Sequence, residues 1–198
     1  MKFILALLSL SFLGFTSVVE AQIPFTVHRF DDVLVSDENA QPFNQAWLGG
    51  INAGQFSELD LDLDGVKDLV IYDRSGPKLL TFLNGNTPNT VDYTFTSAYN
   101  DNLPEINGWL TTADFNCDGK NDLFTYRTGG VKIYKNTSNV IDGLQFELYI
   151  DYVVTYDDYF QNYVSVGGSS VEVPELVDID GDGYLDMLTV FSNTGNTI

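Results

Sequence analysis

Basic side chains are scarce in this chain, which has 9 Lys and Arg against 28 Asp and Glu and a formal net charge of −19. A polyanion needs a basic surface, so we do not expect nucleic acid or an anionic membrane surface as a partner. The chain has one histidine, His28, and one cysteine, Cys117. These residues cannot supply a zinc site, which takes several nitrogen or sulfur ligands, and a single cysteine cannot form an internal disulfide.

Motifs of catalysis are also missing. The sequence contains no Gly-rich phosphate loop, no nucleophile elbow and no HExxH motif. With one histidine, acid–base chemistry would depend on carboxylates, and the conspicuous carboxylates occur in a pattern typical of metal binding. We therefore expect no enzymatic activity in this chain.

The N-terminus has the pattern of a secretory signal peptide. Lys2 precedes an apolar stretch over residues 3–15, and small residues stand at Val19 and Ala21 before a predicted cleavage site ahead of Gln22. A membrane anchor is the alternative, but the apolar stretch is short for a span. We predict removal of residues 1–21, secretion or cell-surface display, and no membrane insertion afterwards. An exported chain without disulfides needs another source of rigidity, and bound metal is one candidate.

An acidic segment occurs three times, at residues 56–72, 110–126 and 174–190, and the first loop aspartates are 54 and 64 residues apart. Each acidic loop leads into an apolar run and a turn, and a second strand pattern follows in the first two copies. Further strand-rich stretches, 91–99 and 146–156, separate the copies. Each repeat therefore holds about four predicted strands and needs no helix.

This arrangement predicts an all-β fold of four-stranded antiparallel blades stacked as a β-propeller. A β-sandwich is the alternative, although a sandwich has no reason to reuse one loop at a fixed phase. Residues 22–46 are expected to form a leading strand and linker, and the repeats to occupy about 47–100, 101–165 and a truncated 166–198. About three blades make an incomplete propeller, because propellers close with roughly 4 to 8 blades. We expect the chain to be the N-terminal part of a longer protein or to close by self-association.

The three loops share the pattern D-x-[DN]-x-D-G-x-x-D, with positions numbered 1 to 9. Two-residue spacing directs positions 1 and 3 to one side, and the glycine at position 6 permits a sharp turn that brings in positions 5 and 9 and the carbonyl of position 7. Such hard oxygen donors suit Ca²⁺ better than Mg²⁺, so we predict about three Ca²⁺ ions. The predicted ligands are Asp60, Asp62, Asp64, Val66 and Asp68; Asp114, Asn116, Asp118, Lys120 and Asp122; and Asp178, Asp180, Asp182, Tyr184 and Asp186.

Alternation also predicts which neighbours face the core: Leu59 and Leu61, Ala113 and Phe115, and Val177 and Ile179. Cys117, inside the second loop, is expected to be a small core-facing residue, because a soft thiol is a poor calcium ligand. Asn136 to Ser138 forms an N-glycosylation motif for which exposure is plausible. The aromatic-rich segment 149–166 is interpreted either as a binding surface for a glycan or protein, or as an outer strand and loop.

The repeats resemble the FG-GAP and VCBS repeats of secreted bacterial proteins, which are similar to the calcium-binding blades of integrin α-chain propellers. Residues 53–72, "AGQFSELDLDLDGVKDLVIY", contain the Gly-x-Phe lead and the acidic core, and the other two copies contain the core alone. The resemblance covers roughly residues 45–198. It implies calcium in the hairpin-entry loops, with weaker binding at the second loop because Asn116 replaces an aspartate.

Two functions are consistent with these observations. The first is a secreted calcium-binding propeller with a structural, adhesive or ligand-binding role toward a protein or glycan that the sequence does not identify. The second is the non-catalytic part of an extracellular polysaccharide-degrading enzyme. A catalytic domain elsewhere in the full-length protein would favour the second.

Overall fold

The computed structural model describes residues 33–43 and 45–189, and the chain divides into two compact units, Met1–Phe43 and Asn44–Ile198. In the first unit, residues 33–43 contain one isolated bridge between Ser36 and Pro42, closed over a turn. The predicted signal peptide, and the part of the predicted leader before residue 33, lie outside the described residues. So do residues 190–198 of the third repeat.

The regular elements in the described part of the second unit are β-strands and one 3₁₀ turn at Asn100–Asn102, joined by loops and turns. Its strands are β1 Gly54–Leu59, β2 Asp68–Asp73, β3 Lys78–Asn84, β4 Tyr93–Thr96, β5 Leu110–Ala113, β6 Asp122–Arg127, β7 Gly130–Asn136, β8 Phe146–Ile150, β9 Val154–Asp157, β10 Asn162–Ser165, β11 Glu175–Val177 and β12 Asp186–Leu188.

The strands form two four-stranded antiparallel sheets, in the orders β1-β2-β3-β4 and β5-β6-β7-β8, and two hairpins, β9–β10 and β11–β12. The prediction of an all-β antiparallel fold is confirmed. Each acidic loop joins the first strand of its sheet or hairpin to the second. The residue before the loop pairs with loop position 9 in every copy: Leu59 with Asp68, Ala113 with Asp122, and Val177 with Asp186.

Hydrophobic side chains from both faces of the second sheet are buried. Leu123 on β6 belongs to a cluster with Leu59 and Val70 of the first sheet, whereas its neighbour Phe124 belongs to a cluster on the opposite face. Leu176 and Met187 of the β11–β12 hairpin pack against that opposite cluster. Because alternate residues of a strand point to opposite faces, β6 is covered on both sides, and the second sheet lies between the first sheet and the hairpin.

The predicted core-facing residues differ between copies. Leu59 and Leu61 are fully buried, and Ala113 and Phe115 pack against the second cluster. The prediction is wrong for Val177 and Ile179, which are 43% and 60% exposed. The β11–β12 hairpin buries its other face against the second sheet, and no described residues cover the face that carries Val177 and Ile179.

The structure bears on three further predictions, for Cys117, the glycosylation motif and the aromatic segment. Cys117 is exposed, so its predicted core-facing position is wrong. The glycosylation motif is buried, with Asn136 only 4% exposed, so an acceptor role would require the end of β7 to open. The aromatic segment continues the outer strand β8 into a separate β9–β10 hairpin, where Tyr156 and Tyr163 stack edge to face at 5.4 Å and remain exposed. In the part of the chain that the structure describes, no helix has the length and apolar character of a membrane span.

Candidate metal centre

The backbone of the acidic loops has the same turn in all three copies. Position 6 is glycine with φ of +88° at Gly65, +86° at Gly119 and +89° at Gly183. Position 4 is also left-handed, although only the third copy has a glycine there: φ is +64° at Leu63, +59° at Cys117 and +79° at Gly181. A left-handed residue other than glycine costs energy, so the first two loops retain a strained residue that the loop geometry requires.

Position 1 closes each loop with a hydrogen bond across the turn. The amide of Gly65 donates to Asp60 Oδ2 at 3.0 Å, and Gly119 and Gly183 donate to the corresponding oxygens of Asp114 and Asp178 at 2.8 and 2.9 Å. This bond fixes one carboxylate oxygen against the backbone. The other oxygen, Oδ1, has no hydrogen-bond partner in Asp60, whereas Asp114 Oδ1 accepts from the amide of Asp118 at 3.1 Å and Asp178 Oδ1 accepts from that of Gly181 at 2.7 Å.

Positions 3 and 5 make local side-chain turns in which each carboxylate or amide oxygen accepts the N–H two residues later. Asp62, Asn116 and Asp180 accept from position 5 at 3.3, 2.9 and 3.1 Å. The position-5 residues accept from position 7, in the pairs Asp64–Val66 at 2.7 Å, Asp118–Lys120 at 3.0 Å and Asp182–Tyr184 at 2.8 Å. These bonds fix the direction of the N–H group at position 7. They do not involve the carbonyl of position 7, so its use as a metal ligand stays a prediction.

Position 9 ties each loop to its sheet. Asp68 and Asp122 are almost fully buried and accept the position-2 amides of Leu61 and Phe115 at 2.8 and 3.3 Å. The third copy repeats this bond between Asp186 and the amide of Ile179 at 2.9 Å. These aspartates are therefore structural acceptors as well as candidate ligands.

An asparagine at the end of the third strand completes the arrangement, and the sequence analysis missed it. The amide of Asn84 donates to Asp68 Oδ1 at 2.8 Å, and its side chain donates to the carbonyl of Lys67 at 3.1 Å. Asn136 repeats both bonds, with Asp122 Oδ1 at 2.7 Å and the carbonyl of Asn121 at 3.0 Å. The signal was present, because "KLLTFLN" and "VKIYKN" both end in this asparagine at the same place in the repeat.

Burial and neighbouring negative charges both raise the pKa of the position-9 aspartates in the first two loops. Burial raises the pKa of Asp68, the N–H groups of Asn84 and Leu61 oppose the rise, and the charges of Asp62 and Asp60 add to it. Burial likewise raises the pKa of Asp122, and the amides of Asn136 and Phe115 oppose that effect. A buried carboxylate beside like charges is stabilised by a cation, which would remove both penalties.

The structure brings positions 1, 3 and 9 together in two loops. Oxygens of Asp60, Asp62 and Asp68 lie within 4.8 Å of one another, as do oxygens of Asp178, Asp180 and Asp186, and each group can hold a metal ion. Asp60 Oδ1 is buried without a hydrogen-bond partner. A buried unpartnered carboxylate oxygen is costly unless a cation faces it. The donor set, with only oxygens in each group, fits a hard divalent cation.

The second loop is built differently. Asn116 stands at position 3, where its Oδ1 accepts a hydrogen bond from Asp118 and its Nδ2 is buried without a partner. An amide nitrogen cannot bind a cation, so Asn116 must turn its oxygen inward to become a ligand. In addition, the Lys135 ammonium lies 3.7 Å from Asp118 Oδ2 and offsets part of the loop charge. Both differences weaken this loop as a cation site.

The fold and site together define an all-β chain of repeated antiparallel units in which two of the three strand-joining acidic loops can hold a metal ion. Compared with protein-family models, curated proteins and solved structures, the chain gives no match.

Proposed function

We propose that this chain is a secreted calcium-binding β-propeller module of the FG-GAP and VCBS type, with a structural, adhesive or ligand-binding role and no catalytic one. The observation that carries the proposal is the conserved geometry of the acidic loop in its first and third copies. In both, three carboxylates converge behind a left-handed turn, and the turn glycine donates to the first aspartate.

The interpretation of the sheets as propeller blades is supported by their repetition. Two successive repeats form sheets with the same strand order, and the first two strands of the third repeat keep the same register at the loop. Strand β6 is buried on both faces, against the first sheet on one side and the β11–β12 hairpin on the other, and this is the packing expected of a strand in an internal blade. A further blade beside Val177 and Ile179 would cover the apolar face that these residues leave exposed.

The assignment of calcium follows from the donors. Asp60, Asp62 and Asp68 would hold an ion in the first loop, and Asp178, Asp180 and Asp186 in the third. Oxygen ligands on opposite sides of Ca²⁺ are about 4.6 to 5.2 Å apart, which is compatible with the observed clustering. When bound, calcium supplies positive charge that offsets carboxylate repulsion and holds the two ends of the loop together. The chain's own part is to orient the carboxylates, through the amides of Gly65, Leu61 and Asn84 in the first loop.

The proposal also includes export of the module and binding of a protein or glycan partner outside the cell. The acidic surface is consistent with this location and with the absence of a nucleic-acid partner. Calcium at the millimolar level found outside cells is sufficient for modules of this affinity class, which bind at ~0.1 to 1 mM.

Calorimetric titration of calcium into chelator-treated protein tests the proposal. We expect uptake of about three ions, with the second loop the weakest. Asp62→Ala should remove the first site and Asp180→Ala the third. Asp158→Ala is the matched control, because Asp158 is an exposed aspartate in the β9–β10 turn, outside the acidic loops. Folded protein that takes up no calcium, or that loses none in the two loop variants, would contradict the assignment.

A further inference from the structure

A pocket of about 360 Å³ opens between the first and second acidic loops. Residues from both loops line it, together with the connection that follows β7. The wall includes Asp60, Leu63, Lys67, Lys120, Asn121 and Val140. This volume lies within the range of small-ligand pockets, which begins at roughly 300 Å³.

The two lysines in this pocket bond to neutral acceptors, unlike the three basic residues of β6 and β7 that lie beside carboxylates. Arg127 and Lys132 form ion pairs with Asp151, and Lys135 lies near Asp118. Lys67 Nζ instead donates to the neutral Asn121 Oδ1 at 3.0 Å, and Lys120 Nζ donates to the carbonyl of Ser138 at 2.7 Å. Among the described residues neither has a carboxylate within ion-pairing distance, although each follows an aspartate-rich stretch.

Hydrogen-bonding capacity in the pocket is concentrated on these two ammonium groups. Each ammonium has three protons, and the structure gives each one acceptor. The neutral polar groups are already engaged: the Asn121 side chain donates to the carbonyl of Glu58 at 2.9 Å, and the Ser138 hydroxyl bonds with Gln145. Leu63 and Val140 contribute apolar surface beside them. The pocket thus offers positive charge and aliphatic contact and few free neutral donors or acceptors.

We propose that this pocket binds a carboxylate with a short aliphatic body, held by Lys67 and Lys120 and packed against Leu63 and Val140. Two ammonium groups that line one pocket suit a carboxylate, and charge-assisted bonds of this kind are the strong ones. Asp60 also lines the pocket and disfavours an anion unless a cation binds the first loop. In that respect the inference rests on the proposed calcium site, and binding should strengthen with calcium.

The test is a nuclear magnetic resonance titration of the full chain with butyrate, with and without calcium, following the amides of Gly65 and Gly119 at the pocket. Butylammonium has a similar body and the opposite charge, and in calcium-loaded protein it should cause no shift there. The carboxylate can come from a free small acid, for which butyrate is the probe, or from an acidic protein side chain, for which N-acetylglutamate amide is the probe. Comparing the affinities of these two compounds distinguishes the two sources. Lys67→Gln and Lys120→Gln should each weaken butyrate binding roughly tenfold.

Lys78→Gln is the matched control, because Lys78 also donates to a carbonyl, that of Leu48 at 2.9 Å, and does not line the pocket. Each variant is first titrated with calcium, which reports the loops independently of the pocket. Butyrate binding that depends on Lys67 and Lys120 but not on Lys78 supports the site, whether or not calcium binds. Absence of butyrate binding, or equal binding by all three variants, overturns it even in protein that takes up calcium.

Discussion

Removing the buried carboxylate at loop position 9 should destabilise the protein with or without calcium. Asp68 is 2% exposed and accepts two backbone N–H groups, from Leu61 and Asn84, both at 2.8 Å. One donor comes from the acidic loop and the other from the end of β3. Asp68→Ala therefore leaves two buried donors without acceptors and loosens the loop from its sheet.

The magnitude follows from these two bonds. Each unsatisfied buried donor costs about 1 to 3 kcal/mol of folding stability. The variant no longer buries a carboxylate, and this offsets part of that loss. We expect a net loss of about 2 to 4 kcal/mol. For a chain of this size, each kcal/mol lowers the melting temperature by about 2 to 4 °C. The expected decrease in chelator is therefore about 4 to 16 °C.

Asp62→Ala in the same loop is the matched comparison. Asp62 is exposed, and its one bond is a local 3.3 Å contact with the amide of Asp64. In chelator its removal should change stability by no more than about 0.5 kcal/mol. With calcium at ~100 times the dissociation constant, it should forfeit most of the roughly 2.7 kcal/mol that one site contributes.

The assay is thermal unfolding of wild type and both variants, in chelator and in millimolar calcium. Asp68→Ala should fall below wild type in both conditions, and Asp62→Ala should do so only with calcium. Similar melting temperatures for the two variants in chelator would refute the structural role given to Asp68. Equal melting of wild type with and without calcium would refute the metal contribution.

Three other predictions concern single residues in the second acidic loop and at the end of β2. Asn116→Asp should tighten calcium binding at the second loop roughly tenfold, since a further carboxylate replaces an amide; calorimetry measures this. Cys117→Gly and Gly119→Ala should have opposite effects on chelator-treated protein in thermal unfolding. The first relieves a left-handed residue and gains up to about 1 kcal/mol, whereas the second imposes one at φ +86° and loses about 1 to 2 kcal/mol. The N–H of Asn52 and the hydroxyl of Ser75 hold the pKa of Asp73 at about 2, below its ordinary 3.8. The stability that Asp73 contributes is therefore present above pH ~4 and lost as the pH falls toward 2. Wild type and Asp73→Asn should converge over that window in acid unfolding curves, and a constant difference would contradict this.

Residues close together in the sequence could be predicted well. The acidic loops, the strands on either side and the antiparallel pairing all follow from patterns within about ten residues. Asp60, Gly65 and Asp68 illustrate this, because a turn glycine and spaced aspartates meet through local geometry alone. The left-handed position 4 was missed because Leu63 and Cys117 are residue types that seldom adopt it.

Residues whose environment depends on another strand could not be predicted this way. Asn84 and Asn136 bond to position 9 from the far end of the third strand, so their role needs the register of two hairpins. Asn136 is buried for the same reason, which removes the exposure expected of its glycosylation motif.

The sequence by itself determined an all-β chain with a repeated acidic loop, because carboxylate spacing, turn glycines and strand patterning act over short distances. Only the tertiary structure decided which apolar residues beside these loops are covered. Leu59 and Val177 hold the same place in the repeat, yet Leu59 is buried between two sheets and Val177 is exposed. The difference arises because burial depends on the neighbouring sheet, which the local pattern of a repeat does not specify.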